Sequence, residues 1–239
     1  AGPFHTAPGG YPTGRSWAPA DAVRPVEDAA DAAGAVEAAV ASGWDTLKVV
    51  LHTGLPLLGE DALRALVATA HARGLTVSVH AEGPGQAARA IDAGADVLVH
   101  APWTEPLSGE VLERGRHMTW ISTLAIHGAA ERRCAIENVR RFRAVGGTVR
   151  YGTDMGNGPT PVGPSPAEIR ALAEAGLGID ELLLAMTGVA AGGSPDGVRA
   201  ERMLASTAPP PRDAEELIAW LAGARRLVDL TGTTPAEDR

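Results

Sequence analysis

The sequence predicts an α/β protein whose parallel strands form part of a (β/α)8 barrel, and three observations lead there. Short apolar runs alternate with helical patterns over residues 45–191, the order that a parallel sheet requires because each crossover carries a helix. Four polar residues, Lys48, His80, His100 and Asp154, lie within or at the C-terminal ends of those runs, and in a barrel that end holds the chemistry. A doubly wound sheet would instead show a glycine-rich phosphate turn after its first strand, and no GxGxxG occurs.

The elements follow in order. After the Gly/Pro-rich opening AGPFHTAPGGYPTGRSW, with the end of a strand at Ala1–Phe4, DTLKVVL at Asp45–Leu51 reads as a strand. Glu60–Arg73 places Leu63, Leu66, Val67 and Ala70 on one helical face and stops at Gly74, a C-cap. Leu75–His80 is the next strand, Gly85–Ala93 a helix and Ala95–His100 a third strand. Ser108–Arg116 reads as helical, His117–Leu124 as extended, Glu131–Ala144 as helical and Thr148–Asp154 as extended. SPAE at Ser165–Glu168 supplies an N-cap serine, a proline at N1 and a glutamate that can reach back as a capping box. A helix over Ile179–Ala191 follows. Five full strands are thus predicted where a closed barrel has eight.

The pattern breaks at Gly192. GGSPDGVRAERMLASTAPPPRDAEE is turn-rich, with Pro209–Pro211 as a stiff spacer. A helix over Ala214–Ala224, a short strand over Arg226–Leu230 and a disordered TGTTPAEDR end close the chain. This divides the sequence into an incomplete barrel over residues 1–191 and an extension over 192–239.

Composition bounds the function. The 239 residues are 45% hydrophobic, enough for one large core, but only 4% aromatic, so Ala, Leu and Val must build it. A net charge of −8 with no basic run excludes nucleic acid and anionic membrane surfaces as partners and leaves small molecules. No apolar run approaches a membrane span and no signal peptide opens the chain, so a soluble, cytoplasmic protein is expected. Cys134 is the single cysteine, inside the amphipathic run AERRCAIENVRRF, and reads as a small buried hydrophobe. The chain opens on Ala1 within a loop, which raises the expectation of a preceding part.

Lys48 is the only lysine beside twenty arginines. A composition that replaces lysine wherever a plain positive charge suffices has kept it here. A guanidinium stays charged, whereas a lysine amine can lose its proton and act as a nucleophile or be covalently modified; the alternative is a lone lysine left on a strand end. Taken with two imidazoles and a carboxylate at neighbouring strand ends, it completes the donor set of a zinc, manganese or iron site.

At these residues the chain resembles the amidohydrolase superfamily, in particular its imidazolonepropionase-like and prolidase-like branch. The resemblance is carried by LKVV around Lys48, SVHAEG around His80, AIDAGADVLVHAPW running into His100, TWISTL at Thr119–Leu124, GTDMG around Asp154 and LLLAMTGVAA at Leu182–Ala191. It implies strands four to eight of the barrel plus the end of strand three. It further implies that Lys48 is carboxylated by carbon dioxide and bridges two divalent metals, that His80 and His100 bind the second, and that Asp154 binds the first. The implied reaction is hydrolysis of an amide, peptide or cyclic amide bond by metal-bound hydroxide. Asp154 would serve as base and then acid, and zinc would be the metal.

The sequence departs from that family at one point: the His-x-His pair of its first strand is absent. The resemblance places that pair, with strands one to three, upstream of Ala1. A barrel short of strands has two raw edges, which predicts instability or association into a homo-oligomer.

Other side chains have two readings each. His52 and His127 read as substrate contacts at the mouth or as loop histidines, and Trp103 as a pocket wall or as loop packing. His5 falls in the opening loop, His71 on a solvated helix face and His117 at the strand end away from the chemistry. The leading function is a metal-dependent hydrolase of carbon–nitrogen bonds. The alternatives are a non-catalytic barrel remnant serving as a binding module, and a metal-free lyase using Lys48 as a Schiff base.

Overall fold

The computed structural model describes residues 2–156, 160–188 and 204–226. The chain divides into two compact units, Ala1–Arg150 and Tyr151–Arg239.

The first unit is a seven-stranded parallel sheet with alternating helices. Its strands are β1 (Phe4–Thr6), β2 (Val23–Pro25), β3 (Thr46–His52), β4 (Thr76–Glu82), β5 (Val97–Val99), β6 (Thr119–Ile121) and β7 (Thr148–Arg150). They lie in the order β2-β1-β3-β4-β5-β6-β7, every pair parallel. The helices are α1 (Ala29–Ala41), α2 (Glu60–Ala72), α3 (Gln86–Asp92), α4 (Gly109–Arg114) and α5 (Ala129–Ala144).

Strand order alone also suits an open doubly wound sheet, which carries helices on both faces. Burial separates the two. Leu47, Val49 and Leu51 on β3, Val77, Val79 and Ala81 on β4, Leu98 on β5 and Trp120 on β6 are at most 3% exposed. Lys48 and His52, His80 and Glu82, Val97 and Val99, and Thr119 and Ile121 alternate with them and are half-buried, with Val50 and Ser78 buried among them. One face is therefore sealed by helices and the other is left partly open, as in a barrel segment with its helices outside.

Each helix buries the stripe that its spacing predicts. On α2, Ala62, Leu63, Leu66, Val67 and Ala70 are buried, and the chain leaves through Gly74 at φ +74°. On α5, Phe142 stacks flat on Trp120 of β6, with ring centroids 3.8 Å apart and planes 3° apart. Both rings are fully buried. Cys134 lies on α5 as expected, where burial pushes its thiol pKa up, which suits packing and not nucleophilic use.

Strand β2 and helix α1 of the first unit were not read from the sequence. Strand β2 is three residues long and ends in Pro25, which has no ladder N–H and is tolerated at a sheet edge. Helix α1 is mostly alanine, and it buries Ala32, Ala35, Val36 and Ala39 at i, i+3, i+4 and i+7. His5 is also corrected: it belongs to β1, not to a loop, and is 1% exposed with Nδ1 3.1 Å from the Lys48 carbonyl oxygen.

The second unit holds α6 (Pro166–Glu174), α7 (Ile179–Thr187) and α8 (Ala214–Gly223), with β8 (Leu204–Ala205) antiparallel to β9 (Arg225–Arg226). Ser165 caps α6 by accepting from the Glu168 amide at 3.3 Å. The expected return contact is replaced: the Ser165 amide donates to the Tyr151 hydroxyl at 2.6 Å, and Glu168 is fully buried. Helix α7 stops at Gly188, φ +75°. The expected boundary at residues 191 and 192, most of the Arg226–Leu230 strand and the TGTTPAEDR end lie outside the described residues.

Phe142→Ala removes one half of the buried stack and leaves a cavity beside Trp120. It should lower the unfolding free energy by about 3–5 kcal/mol, measured by urea titration.

Candidate functional site

The register of β3 on β4 builds the site. Lys48 pairs with Ser78, Val50 with His80 and His52 with Glu82. In parallel strands paired residues share a face and alternate residues repeat it. Lys48 and His52 therefore stand on the same open face as Ser78, His80 and Glu82. His100 follows β5 directly, and its ring lies perpendicular to that of His80, centroids 5.4 Å apart.

Each imidazole is anchored. The His80 side chain is 12% exposed, and its Nε2 is 3.1 Å from Glu82 Oε2. Burial, opposed by the Glu82 hydrogen bond and aided by the Lys48 charge, holds its pKa below the ordinary histidine value. His80 is therefore a neutral ring with a lone pair. Glu82 is held below the usual carboxylate range, chiefly by the hydrogen bond from His80, and its Oε1 is 3.4 Å from His52 Nε2. His52 Nδ1 accepts from the Gly54 amide at 3.0 Å. A Cβ at position 54 would lie 2.8 Å from His52 Cε1, so this contact requires glycine.

His100 is 9% exposed and meets Thr123 Oγ1 through Nδ1 at 2.6 Å. Thr123 sits at φ +48°, a left-handed conformation that costs a β-branched residue roughly 1–2 kcal/mol. Among the described residues only one other non-glycine residue has positive φ: Asp154, at +51°. Such strain collects at functional sites. Asp154 belongs to the second unit, in the turn after Thr153.

Aromatic rings flank the histidines. Tyr11 stacks on His52 at 4.8 Å and on His80 at 5.7 Å, both nearly parallel. Trp103 stacks on His127 at 4.6 Å and meets His80 and His100 edge-on at 5.7 Å each. The structure thus gathers His52, His80, His100, Trp103 and His127 at one place. Among the described residues no group of three or more His, Cys, Asp or Glu side chains is arranged to hold a metal ion.

Residues outside the sequence reading join them. Glu82 carried a signal: two residues after His80, it repeats the face of His80 if the strand continues. Tyr11 and Thr123 carried none, because loops bring them in. Asn138 on α5 is fully buried and fixes the loop that bears Trp103. It accepts from the Leu107 amide at 2.9 Å and donates to the carbonyls of Pro102 and Glu105 at 3.0 and 2.8 Å. His71 and His117 stay apart from the cluster, bonded to Asp96 and to the Arg114 carbonyl.

No protein-family model and no curated protein matches the sequence. Solved structures do match. The chain is similar to a Bifidobacterium longum protein assigned as a prolidase, with TM-score 0.61 and 19% identity over 77% of this chain and 52% of that one. It is similar to the ochratoxinase of A. niger, with TM-score 0.55 and 19% identity over 67% and 42%. It is also similar to a Xaa-Pro dipeptidase with methionine in its active site, with TM-score 0.51 and 21% identity over 66% and 45%. The chain has the fold of the amidohydrolase barrel. It spans about half the length of these structures. This likeness in fold agrees with the partial barrel that burial indicates.

Asn138→Ala leaves three backbone groups of the Trp103 loop without their partner. It should cost about 3 kcal/mol in urea unfolding; a loss under about 0.5 kcal/mol would mean that the loop is held in some other way.

Proposed function

We propose that this chain carries the metal-binding half of a hydrolase acting on a carbon–nitrogen bond, an amide, peptide or cyclic amide. The observation that carries the reading is the meeting of two anchored imidazoles, His80, on the sheet face that also carries the sole lysine, and His100, which follows β5.

The donor set fits a divalent ion of the zinc type. His80 is neutral and donates a hydrogen bond from Nε2–H to Glu82, the outer partner that ligating histidines ordinarily have. His100 is buried and engages Thr123 Oγ1 through Nδ1, which fixes the orientation of its ring. Lys48, on the face of His80, would supply a third donor as its carbamate. The neutral amine attacks carbon dioxide at carbon, a proton leaves the nitrogen, and a cationic side chain becomes an anionic oxygen donor. Arginine cannot do this, which explains the one lysine.

A bound divalent metal supplies a water of lowered pKa and a polarised carbonyl. The resemblance would give Asp154 the role of base and then acid in that reaction. Trp103 and His127 on one side, and Tyr11 and His52 on the other, wall the place where a small substrate lies and keep bulk water from it.

The second reading is a non-catalytic binding module, favoured by the incomplete ligand group. Carbon-13 NMR in labelled bicarbonate with zinc separates the two. The hydrolase reading expects a carbamate resonance in the wild-type chain that is absent from Lys48→Arg. Its absence from the wild type would leave the binding module.

A further inference from the structure

We propose that Glu82 is a positioning residue that sets the tautomer of His80, keeping its proton on Nε2 and leaving Nδ1 as the nitrogen that binds; its metal consequence rests on the reading above.

The assignment starts from a group with no choice. A backbone amide only donates, so the Gly54 N–H at 3.0 Å makes His52 Nδ1 an acceptor and places the His52 proton on Nε2. That proton faces Glu82 Oε1 at 3.4 Å. An ionised carboxylate only accepts, so its second oxygen, 3.1 Å from His80 Nε2, requires a proton there as well. A neutral imidazole has one proton, and Nδ1 is left with the lone pair. Glu82 thus accepts from His80 through Oε2 and holds Oε1 at ion-pair distance from the His52 Nε2 proton. The pairing of His52 with Glu82 across β3 and β4 holds this arrangement in place, and Tyr11 stacks over both rings. Carboxylates in this position orient metal-binding histidines, and their loss commonly costs about 10- to 100-fold in metal affinity.

The arrangement makes an uncommon prediction for Glu82→Gln. A glutamine amide has one oxygen and one NH2, so it can accept from only one of the two rings. His52 cannot change its tautomer, because the Gly54 amide occupies Nδ1. The oxygen must therefore serve His52, and the NH2 must face His80. His80 then moves its proton to Nδ1 and accepts through Nε2.

The test is long-range proton–nitrogen NMR of histidine-labelled, metal-free chain, with zinc affinity measured separately. Wild type should show His80 protonated on Nε2. Glu82→Gln should show it protonated on Nδ1 with His52 unchanged, and zinc affinity should fall at least about tenfold. His80 protonated on Nδ1 in the wild type, a result that needs no variant, overturns the proposal. So does a glutamine variant in which His80 keeps its Nε2 proton. The expected tautomers in wild type and variant, with no zinc taken up by the wild type, uphold Glu82 as the positioning residue and sink the metal reading instead.

Discussion

The register of β3 against β4 is the constraint on which the rest of the first unit depends. Seven consecutive pairs, from Thr46–Thr76 to His52–Glu82, lock the two strands. Alternation within that ladder sends Leu47, Val49 and Leu51 into the helix layer and Lys48 and His52 to the other face. A slip of one residue would exchange the two sets, burying Lys48 and His52 under helices and exposing the leucines. Hydrophobic burial on one face therefore fixes the placement of polar chemistry on the other.

Anchoring is the second requirement, and the structure meets it from the end of β4 and from the surrounding loops and helix. Gly54 and Glu82 orient His52, Glu82 orients His80 and Thr123 orients His100. Asn138, on a helix, ties down the loop that sets Trp103 against three of these rings. A ring that can rotate has no fixed lone pair to offer, so these outer contacts decide what the site can bind. The left-handed Thr123 shows that the backbone accepts a local cost where it meets His100.

Much of this was legible in the sequence because it rests on local signals. The runs around Lys48, His80 and His100 are short and apolar with a polar residue at or near the end, and β3, β4 and β5 appear where those runs lie. The serine cap at Ser165 is local and holds; its expected glutamate return fails because Tyr151, fourteen residues away, takes the amide. Helix α1 escaped because alanine hardly separates a buried from an exposed stripe by hydrophobicity. Glu82 escaped because β4 runs two residues past His80, carried by pairing with β3 that no single-strand pattern contains. Tyr11, Thr123 and Asn138 depend on loops and on contacts distant in sequence.

The central claim is that His80 and His100 bind one divalent ion together. X-ray absorption at the zinc edge tests it most directly, on the chain loaded with one equivalent of zinc and cleared of excess. The account predicts imidazole scattering from two rings, reduced to one ring in His100→Ala. Tightly held zinc with no imidazole in its shell, or no zinc retained, would contradict it.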